Sequence, residues 1–206
     1  MLFRSELGAL SPAQLRERVR SVQRQVRENG VTYNVYADPQ GADRPWDLDM
    51  LPFMVSADEW RQIEAAVIQR AGLLDRILGD LYGEQTLLRE GLLPSALVHG
   101  NSGFLRPAVR VPVPGDVRLH IYAADLARSP DGRWWVVGDR TQAPSGMGYA
   151  LENRLVISRL FPDLFRDLRV QRLAGFFAAL RDGLTGWAPK GDGRSEEHTS
   201  ELQSRL

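Results

Sequence analysis

Two aspartates lie where a predicted β-hairpin would bring their strands side by side. The segments VRLHIYAADLAR and RWWVVGDR have strand character, and SPDG between them is a strong turn sequence. Asp125 ends the apolar run of the first strand, and Asp139 ends that of the second. Carboxylates on adjacent strands suit a hydrated Mg²⁺ ion that bridges substrate phosphates. Aspartate is also common at strand ends without any ligand, so a purely structural role stays open.

A glycine-rich stretch, DRTQAPSGMGY, follows the hairpin and precedes a helix-like run. Gly146 and Gly148 would let backbone N–H groups approach an anion, and the N-terminus of the next helix would add its dipole. Arg140 and Arg154 flank the stretch. It lacks the Gly-Lys-Ser/Thr of a Walker A loop and the third glycine of a dinucleotide fingerprint. A plain strand-to-helix turn is the alternative interpretation.

Residue types exclude several other chemistries. The chain has no cysteine, which excludes disulfides, thiolate zinc sites and a cysteine nucleophile. Metal binding would therefore depend mainly on carboxylates, which favours Mg²⁺ over zinc. His120 falls inside the first predicted strand, where a packed role is expected, and the role of His99 is open. No Gly-x-Ser-x-Gly elbow is present, and nothing obvious activates Ser145 as a nucleophile.

The composition indicates a globular protein without a dominant charge. The 26 basic residues balance 26 acidic ones, so no global field favours nucleic acid or an anionic membrane. No apolar run approaches the ~20 residues of a membrane span, and MLFRSELGAL lacks the features of a secretory signal. We therefore expect a cytoplasmic protein with no nucleic-acid or membrane partner. Lys190 is the single lysine, so a flexible ammonium for nucleotide phosphates is almost lacking.

Capping signals and periodicity predict the elements that must position these residues. Capping boxes at Ser11 and Ser56 begin two amphipathic helices, which are predicted to end near Gly30 and Tyr82. Residues 31–36 read as a strand. The remaining predictions are a loop over residues 38–45, a short helix over 84–90, two helices after the glycine-rich stretch that are split by Pro162, and a loop over 187–193.

The last residues differ from everything before them. RSEEHTSELQS, residues 194–204, is polar and aperiodic, and it resembles the in-register translation of a common sequencing-library adapter. We therefore predict a non-native tail over residues 194–206, which is excluded from fold reasoning. We also expect the native sequence to continue beyond residue 193, so that the chain is an N-terminal fragment. A natural disordered tail is the alternative.

Seven segments occur in an order typical of one family: NGVTYNVY, RPWDLDMLP, ADEW, LYGEQ, DLARSPDGRWWVV, APSGMGYALENR and FPDLFRDLRVQRL. Together they resemble the N-terminal part of the circularly permuted type 2 ATP-grasp proteins, which are related to glutathionylspermidine synthase. The resemblance covers Asn29 to Leu184. It implies an α+β fold, truncated here, in which helices pack on a mixed or antiparallel sheet and two halves clasp ATP and Mg²⁺.

The resemblance also implies a reaction. Such ligases phosphorylate a carboxylate, here of a small or peptide-like substrate, and an amine then displaces the phosphate to form an amide. In the permuted order the metal-ligand hairpin comes early, and the ATP-clasping lysines come later. The glycine-rich stretch is therefore expected beside the metal and the acceptor carboxylate. Relatives often have a helical companion domain, which is a possible partner.

Site residues are carried over on the matching segments. Asp125, in ADLAR, matches the first metal-binding aspartate, and Asp139 is predicted as a second metal ligand. Arg140 and Arg154 are predicted to stabilise phosphate or carboxylate charge in catalysis. Asn153 and Arg154 have helix-start hydrogen bonding as an alternative role. Substrate or phosphate binding is predicted for four residues: Gln142, Ser145, Gly146 and Asn153.

The return strand departs from the family pattern. Many relatives carry Leu-Glu-Asp-Asn where this chain has Val-Gly-Asp-Arg, so Gly138 replaces the glutamate and Arg140 replaces the asparagine of the usual metal pair. Strand alternation predicts that Asp139 points away from the face of residues 138 and 140, unless a β-bulge re-aims it. Arg140 would then supply a positive charge in place of the metal.

Three functional hypotheses follow. The full-length parent is expected to be an ATP-dependent carboxylate–amine ligase that uses Mg²⁺. A non-catalytic pseudo-ligase that binds a peptide or a partner protein is the alternative. The isolated fragment is expected to be inactive, because an ATP site needs both halves of the fold. The corresponding domain organisation is an N-terminal helix over residues 1–30, a partial ATP-grasp domain over 31–193 and the tail over 194–206.

Overall fold

The computed structural model describes residues 8, 10–33, 44–142 and 144–187. The predicted strand beyond residue 33, the loop predicted over 38–43, the loop predicted after residue 187 and the predicted tail 194–206 lie outside these residues. The chain forms two compact units, one from Met1–Phe53 with Gly146–Leu206 and one from Met54–Ser145. Each combines helices with a small antiparallel sheet, so the described fold is α+β.

In chain order, the described elements are α1 (Pro12–Glu28), β1 (Thr32–Tyr33), β2 (Arg44–Pro45), α2 (Ala57–Leu81), α3 (Thr86–Arg89), α4 (Ser95–His99), β3 (Ala123–Arg128), β4 (Trp134–Arg140), α5 (Met147–Leu160), α6 (Pro162–Asp167) and α7 (Ala174–Trp187). Single 3-10 turns occur at Arg106–Ala108 and Pro114–Asp116. No helix in the described part of the chain is long and apolar enough to cross a membrane.

Helix α1 begins and ends as predicted. The Ser11 hydroxyl accepts the Gln14 N–H at 3.3 Å, and the Gln14 side chain accepts the Ser11 N–H at 2.8 Å. At the other end Gly30 takes a φ of 65°, and the Val31 N–H donates to the Val26 carbonyl at 3.1 Å. This is a Schellman motif, for which glycine is favoured because it has no Cβ.

Helix α2 begins at the second predicted capping box and fixes the start of α3. The Ser56 hydroxyl accepts the Glu59 N–H at 3.2 Å, and the Glu59 carboxylate accepts the Ser56 N–H at 3.1 Å. Near the end of α2, the Asp80 carboxylate accepts the Thr86 and Leu87 N–H groups, each at 2.9 Å. These hydrogen bonds lower the pKa of Asp80 and satisfy the first N–H groups of the next helix.

The core of the first unit forms where α1, the segment before α2, α5 and α6 meet. Helix α1 packs against α5, and the fully buried residues come from both. The Tyr149 hydroxyl donates to the Thr32 carbonyl at 2.6 Å, which ties α5 to β1. The buried residues of this unit are Val22, Val26, Met50, Val156, Ile157, Phe161 and Leu164.

The first strand of the hairpin is shorter than predicted. Residues 117–122 do not form a strand, because the backbone N–H groups of Arg118 and Leu119 donate to the Asp75 carboxylate of α2, at 2.8 and 2.7 Å, instead of to a neighbouring strand. The prediction that His120 lies inside a strand is therefore wrong. The predicted turn and return strand are confirmed, with Ala123–Arg128 paired antiparallel to Trp134–Arg140.

Three helices, not two, follow the glycine-rich stretch. Helix α5 ends before Pro162 as predicted, but the segment that follows is interrupted between α6 and α7. Arg169 takes a φ of 51°, and the Val170 N–H donates to the Phe165 carbonyl at 3.1 Å. This Schellman geometry ends α6 at a residue that is not glycine, which is why the sequence pattern gave no stop signal.

Candidate functional site

The predicted site residues fall in both compact units, and each group is described within its own unit. Asp125, Asp139, Arg140, Gln142 and Ser145 belong to the second unit. The remaining three belong to the first unit: Gly146, Asn153 and Arg154.

One face of the hairpin carries an aspartate–arginine pair. Asp125 lies opposite Gly138 in the strand register, and Arg140 Nε lies 3.2 and 3.0 Å from its two carboxylate oxygens. A Cβ atom on Gly138 would lie 3.2 Å from Asp125 Oδ2, so glycine leaves room for the carboxylate against the strand. The Asp125 carboxylate charge is thus balanced by the Arg140 guanidinium.

The other face carries Asp139 in a separate cluster. Arg70 of α2 donates to both carboxylate oxygens, at 2.6 and 2.7 Å, and the Tyr122 hydroxyl donates to one of them at 2.5 Å. The Arg70 hydrogen bonds, followed by that from Tyr122, lower the pKa of Asp139 to about 2. Burial and the Asp139 carboxylate raise the pKa of Tyr122. Asp139 is therefore ionised at neutral pH and bound on both oxygens.

Strand alternation places the two clusters on opposite faces of the hairpin, and a β-bulge lies beside them. Asp125 pairs with Gly138 whereas Leu126 pairs with Val136, so Val137 is the extra residue of β4. On the outer side of the bulge, Asp139 lies opposite Ala124 and shares its face with Tyr122. The prediction that Asp139 points away from the face of residues 138 and 140 is confirmed by these contacts.

A second ion pair joins the hairpin to α2. Arg128 of β3 lies 2.7 Å from the Glu59 carboxylate, and its guanidinium lies 5.9 Å from the centre of the Trp134 ring. Hydrogen bonds from Ser56 lower the pKa of Glu59, and Arg128 lowers it further. Helix α2 thus holds one face of the hairpin at two points, through Glu59 and through Arg70.

The donor set on the hairpin does not fit a magnesium ion shared by Asp125 and Asp139. Each carboxylate is bound by a different arginine on a different face. Mg²⁺ needs oxygen ligands that converge on one point. The described residues also contain no group of three His, Asp or Glu side chains that could hold a metal ion. A cation at Asp125 would have to displace the Arg140 guanidinium.

In the first unit, Gly146 lies at the start of α5 and beside a cavity. It takes a φ of 105° as the N-cap residue and provides no capping side chain. The open cavity next to it measures about 410 Å³. Gly148, Tyr149 and Glu152 line it from α5, and Gly30, Val31 and Thr32 line it from the segment after α1.

Asn153 and Arg154 make contacts that hold the first unit together. The Trp46 indole N–H donates to Asn153 Oδ1 at 2.8 Å, and the Trp46 ring lies 4.6 Å from that of Tyr149. The Arg154 guanidinium lies 5.9 Å from the centre of the Phe165 ring. The alternative that Asn153 makes a helix-start hydrogen bond is wrong, because Asn153 lies inside α5 and accepts from Trp46, while Gly146 is the N-cap residue.

Residues 52–202 match the family model described as circularly permuted ATP-grasp type 2. The chain belongs to this family. It is 37% identical over 183 residues to an uncharacterized protein of Synechocystis sp., with 89% of this chain and 38% of the relative covered. It is 40% identical over 193 residues to an uncharacterized protein of Mycobacterium tuberculosis, with 90% of this chain and 22% of the relative covered.

The residues that match the family model include the hairpin and the glycine-rich stretch. They also include all the predicted site residues of this permuted ATP-grasp chain. A third relative, an uncharacterized protein of Mycobacterium leprae, is 35% identical over 176 residues, which cover 31% of its length. The chain thus spans between about a fifth and two fifths of the length of these relatives.

Three residues in these clusters were not predicted from the sequence of this ATP-grasp chain. Arg70 lies on the polar side of a predicted helix, where nothing distinguishes it from other arginines. The sequence pattern assigns Tyr122 only to a strand, with no separate role. Trp46 lies in the segment RPWDLDMLP, which carried the family resemblance, and this is the one signal that singled it out.

Proposed function

We propose that this chain is part of an ATP-dependent ligase that joins a carboxylate, of a small or peptide-like substrate, to an amine. The observation that carries the proposal is the family match, which includes the hairpin, the glycine-rich stretch and α5. The relationship to glutathionylspermidine synthase is part of this proposal. So is the division into a helix, a partial ATP-grasp domain over residues 31–193 and a non-native tail.

The proposed reaction has two steps. A substrate carboxylate oxygen attacks the γ-phosphorus of ATP, the bond to the bridging oxygen breaks, and ADP leaves. The amine nitrogen then attacks the carbonyl carbon of the acyl phosphate, inorganic phosphate leaves, and the nitrogen loses a proton. Both steps build up negative charge on oxygen, which fixed guanidinium groups stabilise. Mg²⁺ would supply further charge neutralisation on the ATP phosphates.

Within this proposal the arginines and the loop residues keep their predicted roles. Arg140 and Arg154 are the proposed charge-stabilising groups. Arg140 is well placed for such a role because its guanidinium is exposed and contacts the Asp125 carboxylate at its edge. The exposed Gln142 and Ser145 are proposed to bind substrate, together with Gly146 and Asn153.

A non-catalytic pseudo-ligase is the second candidate, and one observation favours it. The Arg140 guanidinium already neutralises the Asp125 carboxylate, and Arg70 neutralises Asp139. A hairpin whose carboxylates are already neutralised by arginines does not need a metal ion to neutralise them. In this proposal the protein binds a peptide or a partner protein without turning over ATP, and a helical companion domain is one possible partner.

Carboxylate-dependent ADP release distinguishes the two candidates. The protein to assay is the product of the genomic reading frame that contains these residues, with hydroxylamine added to trap the acyl phosphate. The ligase proposal expects ADP and hydroxamate to form together, and Asp125→Asn to abolish both. Asp182→Asn, on the exposed side of α7, is the matched control and should retain activity.

Two other results would decide against the ligase. ATP binding without any ADP release across pools of carboxylates and amines would support the pseudo-ligase. ADP release that does not depend on a carboxylate would contradict both candidates. The isolated chain is expected to release no ADP, so turnover by residues 1–193 alone would show that the proposed need for a second half is wrong.

A further inference from the structure

A cavity in the second unit lies apart from the residues assigned to the proposed ligase site. It measures about 250 Å³ and lies between the end of α2 and the segment that precedes the hairpin. Leu78 of α2 and Tyr82, the residue that follows α2, form one wall, and Leu105, Val113 and Val117 form apolar parts of the others. Arg118 brings a positive charge into this largely aliphatic lining.

The Arg118 guanidinium has no carboxylate partner among the described residues. Its best hydrogen bond is a long one, from a terminal nitrogen to the Val111 carbonyl at 3.5 Å. The guanidinium lies 5.8 Å from the centre of the Tyr82 ring, and Nε is buried without a hydrogen-bond partner. Leaving a buried donor of a charged group unpaired is costly, so a missing acceptor is the physical explanation we favour.

The backbone at Arg118 is held by a carboxylate of α2. One oxygen of Asp75 accepts the N–H groups of both Arg118 and Leu119. These hydrogen bonds fix the point from which the Arg118 side chain extends towards the cavity. Asp75 is bound to the backbone here, and the guanidinium contacts the Val111 carbonyl and the Tyr82 ring instead.

We propose that this cavity binds a small organic monocarboxylate with a short apolar group. The guanidinium would donate hydrogen bonds to the carboxylate, for which its planar donors are suited, and the aliphatic walls would cover the apolar part. The cavity is smaller than the pockets of drug-sized ligands, which restricts the ligand to a compact acid. The site goes beyond the proposed ligase function and does not require ATP turnover.

Ligand-observed NMR with phenylacetate tests the site on the full chain. We expect phenylacetate to bind the wild-type chain and the neutral isostere phenylacetamide to bind at least tenfold more weakly. Arg118→Gln should weaken phenylacetate binding at least tenfold, whereas Arg106→Gln should leave it unchanged. Arg106 is exposed, lies in the same unit and does not line the cavity, so it controls for general charge loss.

Three outcomes would overturn the proposal, two of them with the wild-type chain alone. One is equal binding of phenylacetate and phenylacetamide by the wild-type chain, which needs no variant and so holds even if Arg118→Gln fails to fold. The other is an absence of phenylacetate binding to the folded wild-type chain. Ala108→Leu, which fills part of the cavity but keeps the charge, should also reduce binding, so unchanged affinity in that variant would place the ligand elsewhere.

Discussion

At the scale of single residues, the hairpin shows how one arginine changes the chemistry of a carboxylate. Asp125 is a potential oxygen ligand for a cation, but Arg140 contacts both of its oxygens. The pair is partly exposed, with side-chain accessibilities of 63% for Arg140 and 46% for Asp125. Exposed ion pairs contribute little to stability. The main effect of Arg140 is therefore on what else Asp125 can bind.

Removing Arg140 should make Asp125 available to divalent cations. We expect Arg140→Gln to bind Mn²⁺ several-fold more tightly than the wild-type chain, measured by water proton relaxation. The gain should disappear in the double variant Arg140→Gln/Asp125→Asn. Arg76→Gln removes the same charge from an exposed position on α2 and should leave Mn²⁺ binding unchanged. Equal binding by Arg140→Gln and wild type would show that the ion pair does not control access.

Asp139 makes a contribution to stability that depends on pH. Its pKa is depressed in the folded chain to about 2 from a usual 3.8, so the ionised carboxylate favours the folded state. This stabilisation is complete above about pH 4 and is lost as the pH falls towards 2. Urea unfolding followed by tryptophan fluorescence should show wild type more stable than Asp139→Asn at pH 7.

The difference between wild type and Asp139→Asn should narrow as the pH is lowered from 4 towards 2. Asp182→Asn, a carboxylate in the other unit, controls for general effects of charge loss. A difference that stays constant over this range would mean that the Arg70 and Tyr122 hydrogen bonds do not hold Asp139 ionised. It would also remove the main argument for a structural role of this residue.

At the scale of elements, local signals in the sequence predicted most helix boundaries, and the errors came from one long-range contact and one unusual backbone conformation. The capping boxes at Ser11 and Ser56 depend on residues three apart, so the pattern alone identifies them. The shortening of β3 depends on Asp75, 43 residues before Arg118, which no local pattern contains. The end of α6 depends on Arg169 adopting a left-handed conformation without being glycine.

Alanine substitutions at two glycines with equally open surroundings should change the free energy of unfolding in opposite directions. A Cβ atom would meet nothing within 4 Å at Gly30 or at Gly72. Gly30 has a φ of 65°, where alanine is strained, so Gly30→Ala should lower the unfolding free energy by about 1 kcal/mol. Gly72 lies inside α2, so Gly72→Ala should raise it by about 0.5–1 kcal/mol.

Thermal and urea unfolding of both variants measure these changes, and each variant serves as the control for the other. Because neither new methyl group has a neighbour, packing cannot account for a difference in sign. Destabilisation by both substitutions would indicate that α2 loses something at residue 72 that the described contacts do not include. Stabilisation by both would contradict the Schellman end of α1.

At the scale of the whole molecule, much apolar surface remains open. In the described residues, large apolar side chains that are exposed outnumber those that are buried. Phe53, Leu97 and Val137 are 70%, 69% and 67% accessible. Exposure on this scale is typical of interaction surfaces or of proteins that aggregate. The identity of the exposed residues could not be predicted from the sequence, because it depends on which parts of the chain fold against each other.

We expect the chain to bind a hydrophobic dye such as ANS under native conditions and to associate as its concentration rises. Light scattering after size-exclusion chromatography measures the association. Phe53→Ser and Val137→Thr should reduce dye binding and association without lowering the helical content. A chain that stays monomeric at all accessible concentrations and binds no dye would contradict this expectation.

The prediction for residues 194–206 concerns the sequence itself and has its own test. These residues lie outside the described ones, and the family match extends to residue 202. Long-read sequencing of the source DNA across the codon for Gly193 should show a reading frame that encodes unrelated residues in place of RSEEHTSELQS. If the genomic DNA encodes that stretch, the tail is native, and the chain has to be judged with it included.

The bulge at Val137 has a consequence for how relatives are compared with this chain. An extra residue in β4 exchanges the two faces for every position on one side of it. Counting alternate residues along β4 would place Gly138 and Arg140 on the face of Val136, whereas the register places them on the face of Asp125. Face assignments, and with them ligand assignments, therefore cannot be carried across Val137 by counting residues.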